Sequence, residues 1–175
     1  VRYAFMDAVT KLYDKNFCTQ IGDWCRAHNV EYMGHVIEEN NANTCVGMGT
    51  GHYFRSLWGQ DLAGIDVVLS SLVPGIKGAS HTWEPPLYEA DDDFFYYELA
   101  QLATSLAHID TKKHGRAMCE IFGAYGWQEG LREMKWLADF MMSRGINEYV
   151  PHAFTPKDFP DPDCPPHFYA FGQNP

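Results

Sequence analysis

One alternation constrains this chain more than any other feature. A stretch with helical periodicity ends at a glycine or asparagine, and a short apolar run follows that closes on a polar or charged group. In residues 1–29 the apolar positions Phe5, Val9, Leu12, Tyr13, Phe17, Ile21, Trp24 and Cys25 recur near the helical period, and Asn29 supplies a left-handed stop. The run VEYMGHVIEEN follows, and AGIDVVL is a second short apolar run. Asp91, Asp92 and Asp93 open the next helix at the positive end of its dipole. Leu99, Leu102, Ala103, Leu106 and Ala107 form its apolar face, and Gly115 ends it. RAMCEIFGAYG reads as the third strand and its exit. Gln128 to Arg144 reads as a helix with Leu131, Met134, Leu137, Ala138 and Met141 inward, and INEYVPHAF as the fourth strand.

Helices alternating with short buried strands predict a parallel sheet, because the crossover between parallel strands is long enough to be a helix. Strands are expected near 30–38, 63–69, 116–122 and 146–152. Four β/α units are about half to two-thirds of a (β/α)8 barrel, which usually needs roughly 250 residues. The expected fold is therefore α/β, a partial TIM-type barrel over residues 1–175, with 155–175 as a proline-rich exit segment holding six of the ten prolines. Incomplete closure would leave two sheet edges, to be paired with the remainder of the barrel or with another chain.

Composition narrows the function classes. Of the 175 residues 46% are hydrophobic and 21% charged, which argues against disorder. The net charge of -10, without a Lys/Arg run, gives no footprint for nucleic acid, and no apolar stretch has the length of a membrane span. Cys18, Cys25, Cys45, Cys119 and Cys164 form no C-x-x-C pair and read as small core residues, which fits a reducing, cytoplasmic compartment. The glycines at 47, 49 and 51 lack the strand-before, helix-after setting of a dinucleotide loop. No zinc-protease or G-x-S-x-G pattern occurs, so no metal or cofactor is assigned. Asp161 and Asp163 are a weak pointer to calcium.

In parallel α/β folds the working residues sit at the carboxyl ends of the strands. Here those ends carry His35, Glu38 and Glu39, then Glu120, then His152. Strand alternation puts His35 and Glu39 on one face, which makes Glu39 the first choice and Glu38 its rival. Glu120, flanked by Met118, Cys119, Ile121 and Phe122, must be paired or functional, since burying a lone charge is costly. Burial would raise its pKa, and Arg116 or Arg55 could instead pair with it as a structural ion bridge. Two carboxylates flanking one bond are the minimum apparatus for glycoside hydrolysis. His35, His52, Arg55, Asp66 and His152 are candidate sugar-hydroxyl binders, with Asp61 beside them. Trp58, Trp83, Tyr125 and Trp127 are candidate stacking rings, in a chain with 15% aromatic residues.

The runs WCRAHNVEYMGHVIEEN, HYFRSLWGQDLAGIDVV and LAHIDTKKHGRAMCEIFGAYGWQEGLREMKWLADFMMSRGINEYVPHAF resemble the catalytic barrel of large bacterial glycoside hydrolases, the α-L-rhamnosidase-like enzymes in particular. The resemblance spans most of the chain. It implies a (β/α)8 barrel, a carbohydrate substrate and catalytic carboxylates at strand ends, here Glu39 and Glu120 with Glu38 as rival; some such enzymes use calcium near the site. Two other readings stay open: a non-catalytic carbohydrate-binding or structural barrel segment, and another barrel enzyme such as an isomerase or aldolase. An aldolase would need a strand-end lysine, which none of these strands offers.

Overall fold

Three short strands, the first two buried along most of their length, form one sheet. In a computed structural model, which describes residues 1–36, 49–68, 70–75, 92–123, 125 and 129–152, β1 (Ala63–Val68), β2 (Ala117–Gly123) and β3 (Glu148–Pro151) pair in that order, and both pairings are parallel. Ala63, Ile65 and Val67 on β1, with Ala117, Cys119 and Ile121 on β2, are all at most 1% exposed. They pack into one cluster with Leu99, Ala103 and Leu106 of α4 (Leu99–Ile109) and with Leu137 and Met141 of α5 (Gly130–Ser143). Each large side chain buried there contributes about 1.5–3 kcal/mol of transfer free energy. The opposite face of the sheet carries Gly64 and Asp66 on β1, in register with Met118 and Glu120 on β2. One face thus holds the helices and the other holds the acids. Pro151 is tolerated in β3 because that strand pairs with β2 alone.

Three of the four expected strands are observed as such. The first, residues 30–36, joins no ladder, yet it lies against β1, with the Gly34 carbonyl oxygen 1.9 Å from where a Cβ on Gly64 would stand. The Asp61 amide donates to the Tyr32 carbonyl at 2.7 Å, and Asp61 Oδ2 accepts from the Tyr32 amide at 2.8 Å. Residues 37 and 38 of that expected strand lie outside the described residues.

The expected N-terminal helix is α1 (Arg2–Tyr13), a π-helical turn and α2 (Thr19–Ala27). Its contact face corrects the periodicity reading. Met6, Thr10, Cys18 and Gly22 are buried, whereas Phe5 and Trp24 are 64% and 60% exposed. Close backbone approach decides this: a Cβ on Gly22 would lie 2.1 Å from the Gly59 carbonyl oxygen, so small residues form the contact and the large ones are turned away. Leu131, expected inward on α5, is likewise exposed. No described helix is long and apolar enough to cross a membrane.

Lys113 and Glu129 are ionisable side chains buried away from the acids on the sheet. Lys113 is fully buried in a 3-10 turn (Thr111–Lys113) that follows α4. Its Nζ donates to the carbonyls of Leu57 at 2.8 Å and Gln60 at 2.5 Å, and Asp110 Oδ2 lies 3.4 Å away. Glu129, at the N-cap of α5, is 5% exposed, and both its carboxyl oxygens lack a hydrogen-bond partner. Burial, reinforced by the Lys112 charge and opposed by Asp110, pushes Lys113 down to about 8. Burial, reinforced by Glu133, pushes Glu129 up to about 8.

These shifts give stability an expected minimum near pH 8. Between pH 4.5 and 8 the folded chain keeps a proton on Glu129 that the unfolded chain has released, so stability falls as pH rises. Between 8 and 10.5 the unfolded chain keeps a proton on Lys113 that the folded chain has lost, so stability recovers. Melting temperatures measured across this range should trace both limbs, with a change of roughly 2–4 °C per kcal/mol in a chain of this size. Glu129→Gln should flatten only the lower limb and Lys113→Met only the upper one. A monotonic profile in the native chain would contradict the burial of both groups.

Candidate functional site

The acids on the face turned away from α4 and α5 do not stand alone. Asp66 and Glu120 are paired residues on neighbouring strands, and alternation aims both at the side away from α4 and α5. The segment 30–36 alternates in the same way: Val36 joins the hydrophobic core, and His35, one residue earlier, reaches Glu120. His35 Nε2 lies 3.0 Å from Glu120 Oε2, and ligand-type atoms of His35, Asp66 and Glu120 all lie within 4.8 Å of one another. From the far side, His152 Nε2 approaches Glu120 Oε1 at 3.8 Å. This histidine follows β3, and its amide donates to the Ile121 carbonyl at 2.9 Å.

The tautomer of His35 follows from its second contact. Its Nδ1 lies 2.6 Å from the Val36 carbonyl oxygen. A carbonyl only accepts, so Nδ1 must donate, and Nε2 faces the carboxylate. One further proton is needed between Nε2 and Glu120, and with it the contact is an imidazolium–carboxylate pair. The hydrogen bond from His35 holds the Glu120 carboxyl below the usual glutamate range, outweighing burial, which acts upward; the charges of His35 and His152 add to the lowering. The sequence-based expectation of a raised pKa is therefore reversed. Burial of Glu120 is incomplete, with 29% of its side chain exposed, and two histidines compensate it. Neither arginine considered as its partner is used so: Arg116 pairs with Glu31 at 2.6 Å and Arg55 with Asp7 at 2.6 Å.

The backbone is distorted beside this cluster. The β1–β2 register shifts between Val67 and Val68, which pair with Ile121 and Gly123, leaving Phe122 as an extra residue. Phe122 sits at φ 76°, a left-handed conformation that costs a non-glycine residue of order 1–3 kcal/mol. Such bulges re-aim side chains at strand ends and are frequent next to active sites.

Of the residues singled out from the sequence, His35, Asp66, Glu120 and His152 come together. His52, Arg55 and Trp58 do not join them; they lie in the segment that precedes β1. His52 caps the short helix α3 (Tyr53–Ser56), its Nδ1 accepting from the Arg55 amide at 3.4 Å. Arg55 also donates to Thr10, and the Trp58 carbonyl accepts from Lys112. Asp61 is committed to Arg26 and the Tyr32 amide. Tyr125, named as a stacking ring, is 3% exposed, and its hydroxyl donates to the Leu72 carbonyl at 3.1 Å. Glu38, Glu39, Trp83, Trp127, Asp161 and Asp163 lie outside the described residues.

Among the described residues, His35, Asp66 and Glu120 form the group that could hold a metal ion. The set does not suit calcium, which takes six to eight oxygen ligands and rarely an imidazole. Compared with models of known protein families, with curated proteins and with solved structures, the chain matches none.

Proposed function

We propose that this chain is part of a glycoside hydrolase of (β/α)8-barrel type, with Glu120 as a catalytic carboxylate. The observation that carries the reading is the placement of Glu120, midway along β2 where the sequence suggested a strand end, on the sheet face turned away from α4 and α5, with Asp66 alongside and histidines on both sides. In a barrel that face lines the interior, and the strands' carboxyl ends form the active-site mouth. The strand order, which follows the chain without a reversal, suits a barrel. The exposed apolar side chains of α1 and α2 suit a helix layer completed by further chain.

The geometry also divides the labour. A glutamate kept ionised by an imidazolium can attack an anomeric carbon or take a proton from water; it is a poor proton donor. The acid of the pair must then be another carboxyl. Glu39, with Glu38 as its rival, follows His35 in the sequence and is the proposed donor. Asp66, beside Glu120, accepts from a sugar hydroxyl in this scheme, and His152 donates to one.

The test is turnover of a panel of nitrophenyl glycosides by the full-length protein, including the α-L-rhamnoside. At least one glycoside should be hydrolysed, and Glu39→Gln or Glu38→Gln should lose far more activity on the matching alkyl glycoside, whose leaving group needs protonation, than on the nitrophenyl glycoside, whose acidic leaving group does not. A chain that binds sugars with no turnover across the panel would instead be a carbohydrate-binding segment.

A further inference from the structure

We propose that His35, Asp66 and Glu120 form a binding site for a divalent transition ion of the zinc class, which takes the place of the proton between His35 and Glu120. Three observations support it. The ligand-type atoms converge from three separate chain segments to within 4.8 Å, and His35 Nε2 stands 3.0 Å from Glu120 Oε2. One nitrogen and carboxylate oxygens are a donor set that zinc accepts and calcium does not favour. The Val36 carbonyl fixes Nδ1 as the protonated nitrogen, which leaves Nε2 as the ligating one. A carbonyl behind the ligating imidazole is the usual outer support of a metal-bound histidine.

The geometry is close to that of a bound ion without being contracted onto one. With zinc–ligand distances of about 2.0–2.2 Å, tetrahedral ligand atoms stand roughly 3.3–3.6 Å apart. The widest pair must therefore close by about 1 Å, within reach of side-chain rotation by Asp66 and Glu120. His152, whose Nε2 is 3.8 Å from the other Glu120 oxygen, stands outside this three-residue group. Binding would occupy the Glu120 carboxylate, so the ion is an inhibitor of the proposed hydrolysis and not its cofactor. Only this inhibitory consequence rests on the glycosidase reading; the site itself does not.

Titration calorimetry of the full-length protein with zinc chloride in a non-chelating buffer tests the site, with calcium chloride as the comparison. One equivalent of zinc should bind, at least tenfold more tightly than calcium. His35→Gln and Asp66→Asn should each weaken zinc binding tenfold or more while the far-ultraviolet dichroism is kept. If one variant fails to fold, the other carries the comparison. Cobalt(II) in place of zinc should give weak d–d absorption without intense sulfur-to-metal charge transfer, which separates this site from one built on cysteines. No zinc binding at millimolar concentration, equal binding in both variants, or a thiolate spectrum would overturn the proposal. The two readings also fail separately. Zinc binding without glycoside turnover would retire the hydrolase and keep the site; turnover that zinc neither inhibits nor accompanies by binding would do the reverse.

Discussion

Glu120→Gln should leave a folded protein whose glycoside turnover has fallen by at least about 10²–10⁴-fold, the range for losing general acid–base catalysis, with a larger loss if Glu120 is the nucleophile. The substitution is nearly isosteric. Its amide N–H can donate to the unprotonated Nε2 of neutral His35, so the 3.0 Å contact has a neutral counterpart. What disappears is the negative charge, and with it the nucleophile or base. The structural loss should be small, because an ion pair left 20–29% exposed on its two side chains is screened by water. The outcome to set against this is a purely structural role for Glu120: a lower melting temperature with unchanged specific activity in the folded fraction. Measuring kcat/KM and the melting curve on one preparation separates the two, and full activity would remove Glu120 from the mechanism.

The sheet could be read in advance because its cause is local. Ala63, Ile65 and Val67, and then Ala117, Cys119 and Ile121, are continuous with helices that end at glycines, and these patterns need no knowledge of the partner strand. The site was legible in part for the same reason. Glu120 is a charged residue set in an apolar run, and His35 shares its strand-end logic. Their union was not legible, since nothing in the sequence places residue 35 beside residue 120; the register Asp66↔Glu120 and the path of 30–36 past β1 do that. The direction of the Glu120 shift depended on this missing neighbour. Burial alone predicts a rise, and a histidine hydrogen bond reverses it. Lys113 and Glu129 were invisible for a different reason. Each sits at a helix end, where exposure is the ordinary state of a charge, and only the packing of the 57–60 turn buries Lys113.

Gly64→Ala is expected to have the largest effect of any single methyl group in this fold. A Cβ on Gly64 would stand 1.9 Å from the Gly34 carbonyl oxygen, 2.7 Å from its carbonyl carbon and 2.8 Å from Met118 Cε. The methionine tip can turn aside, but the Gly34 carbonyl belongs to a backbone. The extended segment 30–36 must therefore move off β1, and it carries His35 with it. Overpacking of this kind costs about 1–3 kcal/mol, and more where backbone has to yield. The Tyr53 hydroxyl, which donates to the Gly64 carbonyl at 2.6 Å, resists the displacement from the other side. Losing His35 should also release Glu120: without its hydrogen-bond donor, burial dominates and its pKa climbs, so the acidic limb of the pH–rate profile should move to higher pH. Gly75→Ala supplies the control. Gly75 has a φ of +77° and open space around its Cβ position, so alanine there adds left-handed strain of roughly 1–2 kcal/mol and no clash. Gly64→Ala should lower the melting temperature more than Gly75→Ala and should alone shift the acidic limb. Equal melting temperatures and superimposable pH profiles for the two variants would mean that segment 30–36 does not lie against β1, and the approach of His35 to Glu120 would fall with it.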